Sequence, residues 1–152
     1  MDQTLDDMRT LPVLALISAT LFASAAAYIT IVEHPARLTL EDGPLLAQWQ
    51  PSYRRALPIQ AGLAVFGGIV GLIAFYQLRD WQWLVGSLVL LANWPFTLLV
   101  IMPTNKRLLA MPVQNAGAQS REMLLSWGRL HNVRTILGAL ATLLFAWGML
   151  VR

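Results

Sequence analysis

Four stretches of this chain are long, apolar and free of charge. Residues 11–32, 56–78, 81–102 and 135–151 contain no Asp, Glu, Lys, Arg or His. A helix needs roughly 20 mostly apolar residues to cross the hydrocarbon core of a bilayer. Three runs reach that length outright. The fourth reaches it when Asn132 and Val133 are added and Arg134 lies at the interface. The expected fold class is all-α: a four-transmembrane-helix bundle, with spans at 11–32, 56–78, 81–102 and 131–151 and one integral membrane domain over residues 1–152.

Only 12% of the residues are charged, against about 25% in an ordinary soluble domain. The net charge of +3 comes from basic residues scattered between spans. That distribution suits an anionic membrane surface and not nucleic acid. Cysteine is absent, which excludes disulfides, Cys-ligated metal and thiol redox within this chain. Ala23-Ser24-Ala25 has the form of a signal-peptide cleavage site. Asp2, Asp6 and Asp7 outnumber Arg9 before it, however, where a signal peptide carries positive charge. The first run is therefore read as a retained helix.

Four crossings put both termini and the link Arg79-Asp80 on one face. Two longer loop segments, residues 33–55 and 103–134, fall on the other. Arg37, Arg54, Arg55, Lys106, Arg107, Arg121, Arg129 and Arg134 lie on this loop face, and only Arg9, Arg79 and Arg152 lie opposite. The positive-inside rule makes the loop face cytoplasmic and the termini external, in a bacterial inner membrane or its equivalent. Ala19, Ala23 and Ala27 form one small-residue stripe, and Gly67 and Gly71 another. Such stripes let helices pack closely in lipid, here spans one and two, with an oligomer as the alternative. Trp81, Trp83 and Trp147, near span ends, read as interfacial anchors.

Pro35, Gly43-Pro44 and Pro51 punctuate the first loop segment, with 45–49 as a helical turn on the membrane surface. Pro103 and Pro112 break the second, where Thr104 or Asn105 suits a helix cap. Met123, Trp127, Leu130, Arg134 and Leu137 recur at helical spacing. The fourth helix is therefore expected to start near Gln119 and to project beyond the bilayer.

The chain's two histidines, His34 and His131, both fall on the loop face, at the ends of different spans. With Glu33 they compose a possible two-His-one-carboxylate metal site, and facing imidazoles suit haem. Local hydrogen bonding at a wet helix end is the plainer alternative. Trp127, His131 and Arg134 share one helix face. Asn93, in mid-span before Trp94-Pro95, needs a hydrogen-bond partner in hydrocarbon. It is expected to face inward, either at a pocket or bracing the proline kink, with Thr97 on the same face. Asn105, Tyr53 and Gln60 are further wall residues. Arg54 and Arg55 suit headgroups, or one of them an ion pair with Glu33.

These segments together resemble a known family. Glu33-His34-Pro35-Ala36-Arg37, Tyr53-Arg54-Arg55, Asn93-Trp94-Pro95, Pro103-Thr104-Asn105 and Trp127-Gly128-Arg129-Leu130-His131 with Arg134 resemble, in order and over almost the whole chain, the anthrone oxygenase-like membrane proteins. Most members are uncharacterised; the name comes from fungal enzymes that oxidise anthrones to anthraquinones. The resemblance implies a possible oxygenase on a four-helix membrane domain. By matching motif it carries over His34, Asn93, Asn105, His131 and Arg134. The resulting expectation is oxidation of an anthrone-like aromatic with dioxygen. His131 would act as base, with His34, Asn105 and Arg134 beside it, and the substrate would lie against Asn93, Trp94, Trp127, Tyr53 and Gln60. The cofactor is open: none, or a metal or haem held by His34 and His131. Two alternatives stand beside this: a non-catalytic binder of a hydrophobic small molecule, and a haem or metal redox protein.

Overall fold

The computed structural model describes residues 2–151, with side chains from Thr10 onward. Asp2, Asp6, Asp7, Arg9 and Arg152, which enter the leader and charge arguments above, lie outside the described side chains. Four helices, Thr10–Leu38, Asp42–Leu78, Trp81–Ala110 and Ala118–Leu150, are long and apolar enough to cross a membrane. Most of each apolar window faces outward; Ile31, Ile59, Leu99 and Leu143 are examples. In water so large an apolar surface would aggregate, whereas in lipid it is solvated. The protein is an integral membrane four-helix bundle.

Each helix packs on its sequence neighbours and the first packs on the fourth; the second and fourth, on the diagonal, meet mainly through side chains such as Trp49 and Trp127. Spans one and four are thus adjacent, which periodicity alone left undetermined. Small residues make this closeness possible, but not all where expected. Gly67 lies against Ser18 of the first helix and Leu90 of the third. Gly71 instead meets Ser87 and Phe145, of the third and fourth helices, and Ala23 meets Gly138 of the fourth. Trp81 and Trp147 are half-exposed and meet edge to face at 5.2 Å. Trp83 corrects the expectation: it is fully buried, stacked on Phe145 at 5.2 Å and covering Gly148.

The two interspan segments lie at one end of the bundle, but most of their length is helix. The second helix starts at Asp42 and runs through Pro51. Pro51 and the Ala47 carbonyl it frees lie on an exposed face, so little is lost. Leu45, Leu46 and Trp49 are not a turn lying on the membrane surface. They are fully buried against Leu108, Leu124 and Trp127. The third helix likewise continues to Ala110, and Asn105 sits inside it without capping it. At 1.5 Å per residue, helices of 29–37 residues span about 44–56 Å, well beyond a core about 30 Å thick. The fourth helix begins at Ala118 and projects as expected. Arg121 ties the 39–41 turn down, bonding Asp42 at 2.5 Å and the Leu38 carbonyl at 3.0 Å. The opposite link is tight: Arg79 adopts a left-handed conformation (φ 63°) and its N–H closes on the Phe75 carbonyl, a helix stop of the αL kind.

Two wide turns interrupt the regular helices. Ile29–Glu33 and Thr97–Ile101 are π-helical, and each is closed by an N–H, of His34 or Met102, reaching five residues back. Pro35 and Pro103 follow directly. A proline ring clashes with the carbonyl four residues earlier, and a wide turn relieves that clash. Such bulges concentrate at functional sites, and both lie where the polar residues gather.

Candidate functional site

The first helix contributes Thr30, Glu33, His34 and Arg37 to this end of the bundle, and the second contributes Trp49, Ser52, Tyr53 and Gln60. Asn105 comes from the third, and Trp127, His131 and Arg134 from the fourth. Because the first and fourth helices are neighbours, both histidines reach the same indole. The Trp127 ring centre is 4.8 Å from His131, nearly stacked, and 5.2 Å from His34, tilted. Trp49 closes on Trp127 edge-on at 5.7 Å and stacks on Tyr53 at 4.9 Å. Asn105, fully buried, donates from Nδ2 to the Tyr53 hydroxyl at 2.7 Å.

His131 is oriented by a short chain of hydroxyls. Its Nδ1 lies 3.1 Å from Thr30 Oγ1, which is 2.8 Å from Thr135 Oγ1. Thr135 in turn donates to the His131 carbonyl at 3.5 Å. With that donor assigned, Thr135 accepts from Thr30, and Thr30 accepts from an Nδ1–H. The Nε2 lone pair of His131 is then free, and Nε2 has no partner among the described residues. Arg134 is buried yet makes no hydrogen bond or ion pair among the described residues; its guanidinium carbon lies 5.5 Å over the Phe22 ring. Whatever its depth, its side chain turns into the bundle. A buried cation left unpaired is costly, which makes it a ready partner for negative charge.

Two cavities flank the second helix and share Leu57 and Arg134. The smaller, about 30 Å³, lies towards the first helix; its walls include Glu33, Arg37, Tyr53, Gln60, Trp127 and His131. The larger, about 150 Å³, lies towards the third; its walls include Asn93, Trp94, Thr97 and Leu98. The sequence-derived residues thus divide. Tyr53, Gln60, Trp127, His131, Glu33 and Arg134 meet at the first cavity, while Asn93 and Trp94 meet Arg134 at the second. Asn93 also braces the kink, donating to the Leu90 carbonyl at 3.0 Å. His34 lines neither cavity. It is buried over Gly128, and neither ring nitrogen has a hydrogen-bond partner among the described residues.

Glu33 is engaged elsewhere than the histidines. It pairs with Arg37 one turn on and accepts from Ser52 at 2.9 Å and Gln48 at 3.4 Å. Arg54 and Arg55, by contrast, point outward. Among the described residues no three His, Asp or Glu side chains gather at one point. Both imidazoles pack on one indole, and His34 lines neither cavity, so neither cavity lies between the two histidines to take a porphyrin. The residues present do not fit a three-ligand metal or a bis-His haem. Sequence reasoning missed Thr30 and Trp49, and it paired Glu33 with Arg54 or Arg55 where the structure pairs it with Arg37. The i, i+4 spacing of Glu33 and Arg37 was a usable signal; Thr30, in an apolar run, offered none.

A family model described as anthrone oxygenase matches residues 49–144. The chain belongs to the anthrone oxygenase family. The match takes in every site residue of the second, third and fourth helices and leaves Glu33, His34 and Arg37 outside. An anthrone oxygenase of Cryptosporiopsis sp. (strain 8999) is 28% identical over 139 residues, 84% of this chain and 79% of its own length. An anthrone oxygenase of Claviceps purpurea (strain 20.1) is 27% identical over 139 residues, 82% and 80% of the two chains. No solved structure matches.

Proposed function

We propose that this member of the anthrone oxygenase family oxidises an anthrone-like aromatic with dioxygen, using His131 as the base. The observation that carries the reading is the pairing, at one cavity, of an oriented imidazole whose Nε2 is unengaged with a buried arginine that has no counter-ion. The carbon between the rings of an anthrone is acidic because its carbanion is delocalised onto the ketone oxygen. His131 Nε2 takes that proton, and Arg134 stabilises the resulting oxyanion. The carbanion gives its electrons to dioxygen and forms a carbon–oxygen bond, and the peroxide is protonated. Loss of the second hydrogen from the same carbon breaks the O–O bond and releases water. One anthrone and one dioxygen thus give one anthraquinone and one water. Trp127, stacked on His131, holds the imidazole in place, and the Tyr53–Asn105 pair braces the wall that Tyr53 gives this cavity.

The experiment is oxygen uptake with an anthrone by the protein in mild detergent. His131→Ala is expected to lose at least about 100-fold in kcat, the usual contribution of a general base, with its helical content and elution volume unchanged. Turnover retained in that variant would sink the role of His131. The excess of exposed basic residues at the loop end, Arg54, Arg55, Lys106 and Arg129 among them, supports a cytoplasmic placement of this end. Single cysteines introduced into the cysteine-free chain and labelled from either side test that orientation.

A further inference from the structure

The larger cavity is not needed for proton transfer at His131, which lines only the smaller one. Its walls between the second and third helices are mostly apolar: Leu57, Ala61, Ala64 and Leu98. Besides Thr97 and the Trp94 N–H, two polar groups interrupt them. One is Asn93, nearly fully buried, whose Nδ2 is spent on the Leu90 carbonyl while its Oδ1 has no partner. The other is the unpaired Arg134. A buried acceptor without a donor costs free energy that a ligand hydroxyl can recover. Trp94 and Leu98 also line the cavity and are about half exposed on the lipid-facing side, so it opens sideways to the bilayer. Trp94 Nε1 approaches the Ala61 carbonyl at 3.4 Å and links the two helices there. A dry apolar cavity of about 150 Å³ holds one benzene-sized molecule.

We propose that this cavity binds one hydroxylated ring of an aromatic compound dissolved in the bilayer. The compound enters sideways between Trp94 and Leu98, and its hydroxyl donates to Asn93 Oδ1. Further fused rings extend outward past Trp94. The site commits to a phenol-class ligand because one hydroxyl can donate to the orphaned Asn93 Oδ1 and accept from the unpaired Arg134. Binding of this kind requires neither dioxygen nor His131, so it goes beyond the oxidation proposed above.

The test is anaerobic titration of 2-naphthol, and separately of naphthalene, into the protein in lipid nanodiscs, with empty nanodiscs as the partitioning baseline. Saturable binding above baseline is expected, with 2-naphthol at least about fivefold tighter than naphthalene, the ratio that one hydrogen bond of ordinary strength gives. Leu98→Trp, at an exposed position, plugs the mouth without disturbing the core and should weaken both probes at least about tenfold. Asn93→Leu should erase the preference for the hydroxyl; if it does not fold, Leu98→Trp still decides the site. Retention no greater than in empty nanodiscs, equal affinity for the two probes, or unchanged binding in Leu98→Trp overturns the proposal. Saturable 2-naphthol binding by a protein that does not oxidise an anthrone would leave this site standing and remove the oxygenase reading. Turnover without such binding would do the reverse.

Discussion

Replacing Glu33 with Leu isolates the charge balance of the site. The Arg37 side chain is 3% exposed and its Glu33 partner 23%. Removing one member of a buried pair costs about 3–5 kcal/mol, because the remaining charge is left uncompensated. The partly exposed carboxylate puts this case at the low end, about 3 kcal/mol. For a chain of this length 1 kcal/mol moves the unfolding midpoint by about 2–4 °C, so Glu33→Leu is expected to lower Tm by about 6–12 °C. Adding Arg37→Met removes the stranded cation, and apolar replacement of a whole buried pair is often neutral. The double variant is then expected to melt within about 2–4 °C of the unaltered protein. Thermal unfolding in mild detergent, followed by far-ultraviolet circular dichroism, reads both shifts. A double variant that melts no higher than Glu33→Leu would refute the idea that Arg37 depends on this carboxylate.

Thr30→Val keeps the shape of the side chain but removes the hydroxyl that orients His131. It should lower kcat about tenfold or more with KM little changed, while Thr30→Ser restores most of the rate; steady-state oxygen uptake separates the two constants. Tyr53→Phe leaves the fully buried Asn105 amide with no partner and should cost about 1–3 kcal/mol, read as a fall in Tm with the Trp49 stack retained.

The bundle was legible because charge-free windows of membrane length have few other uses. The helix ends were not. Pro51, Pro103 and Asn105 look like breaks and caps to rules learned on helices in water. Here they lie on helices that run on past the bilayer, with each proline either on an open face or relieved by a wide turn. The polar residues of the site were legible from type and position, since an amide or a histidine at a span end has few idle roles. Their grouping was not, because nothing in the sequence makes the first and fourth helices neighbours. The inward turn of Arg134 was hidden for a related reason. Span length speaks only to its depth, whereas the bundle sets its direction, towards the face of Phe22 and two cavities. Trp83 stacks inside on Phe145 because Gly148 leaves it room, and no periodicity shows such a gap.

The two wide turns make the site a matter of residue count. An α-helix advances about 100° per residue, so eight residues carry His34 about 80° out of line with Ala26. The twelve residues from Asn93 to Asn105 leave an offset of about 120°. One extra residue accommodated in a π turn takes about 100° back out of each. Ala26 and His34 are accordingly buried together, as are Asn93 and Asn105. Shortening either turn by a single residue would leave an unbroken, equally apolar helix that still crosses the bilayer. It would also swing His34 or Asn105 towards the lipid. A chain could therefore keep its hydropathy, its fold and every motif residue, and lose the site to one missing codon.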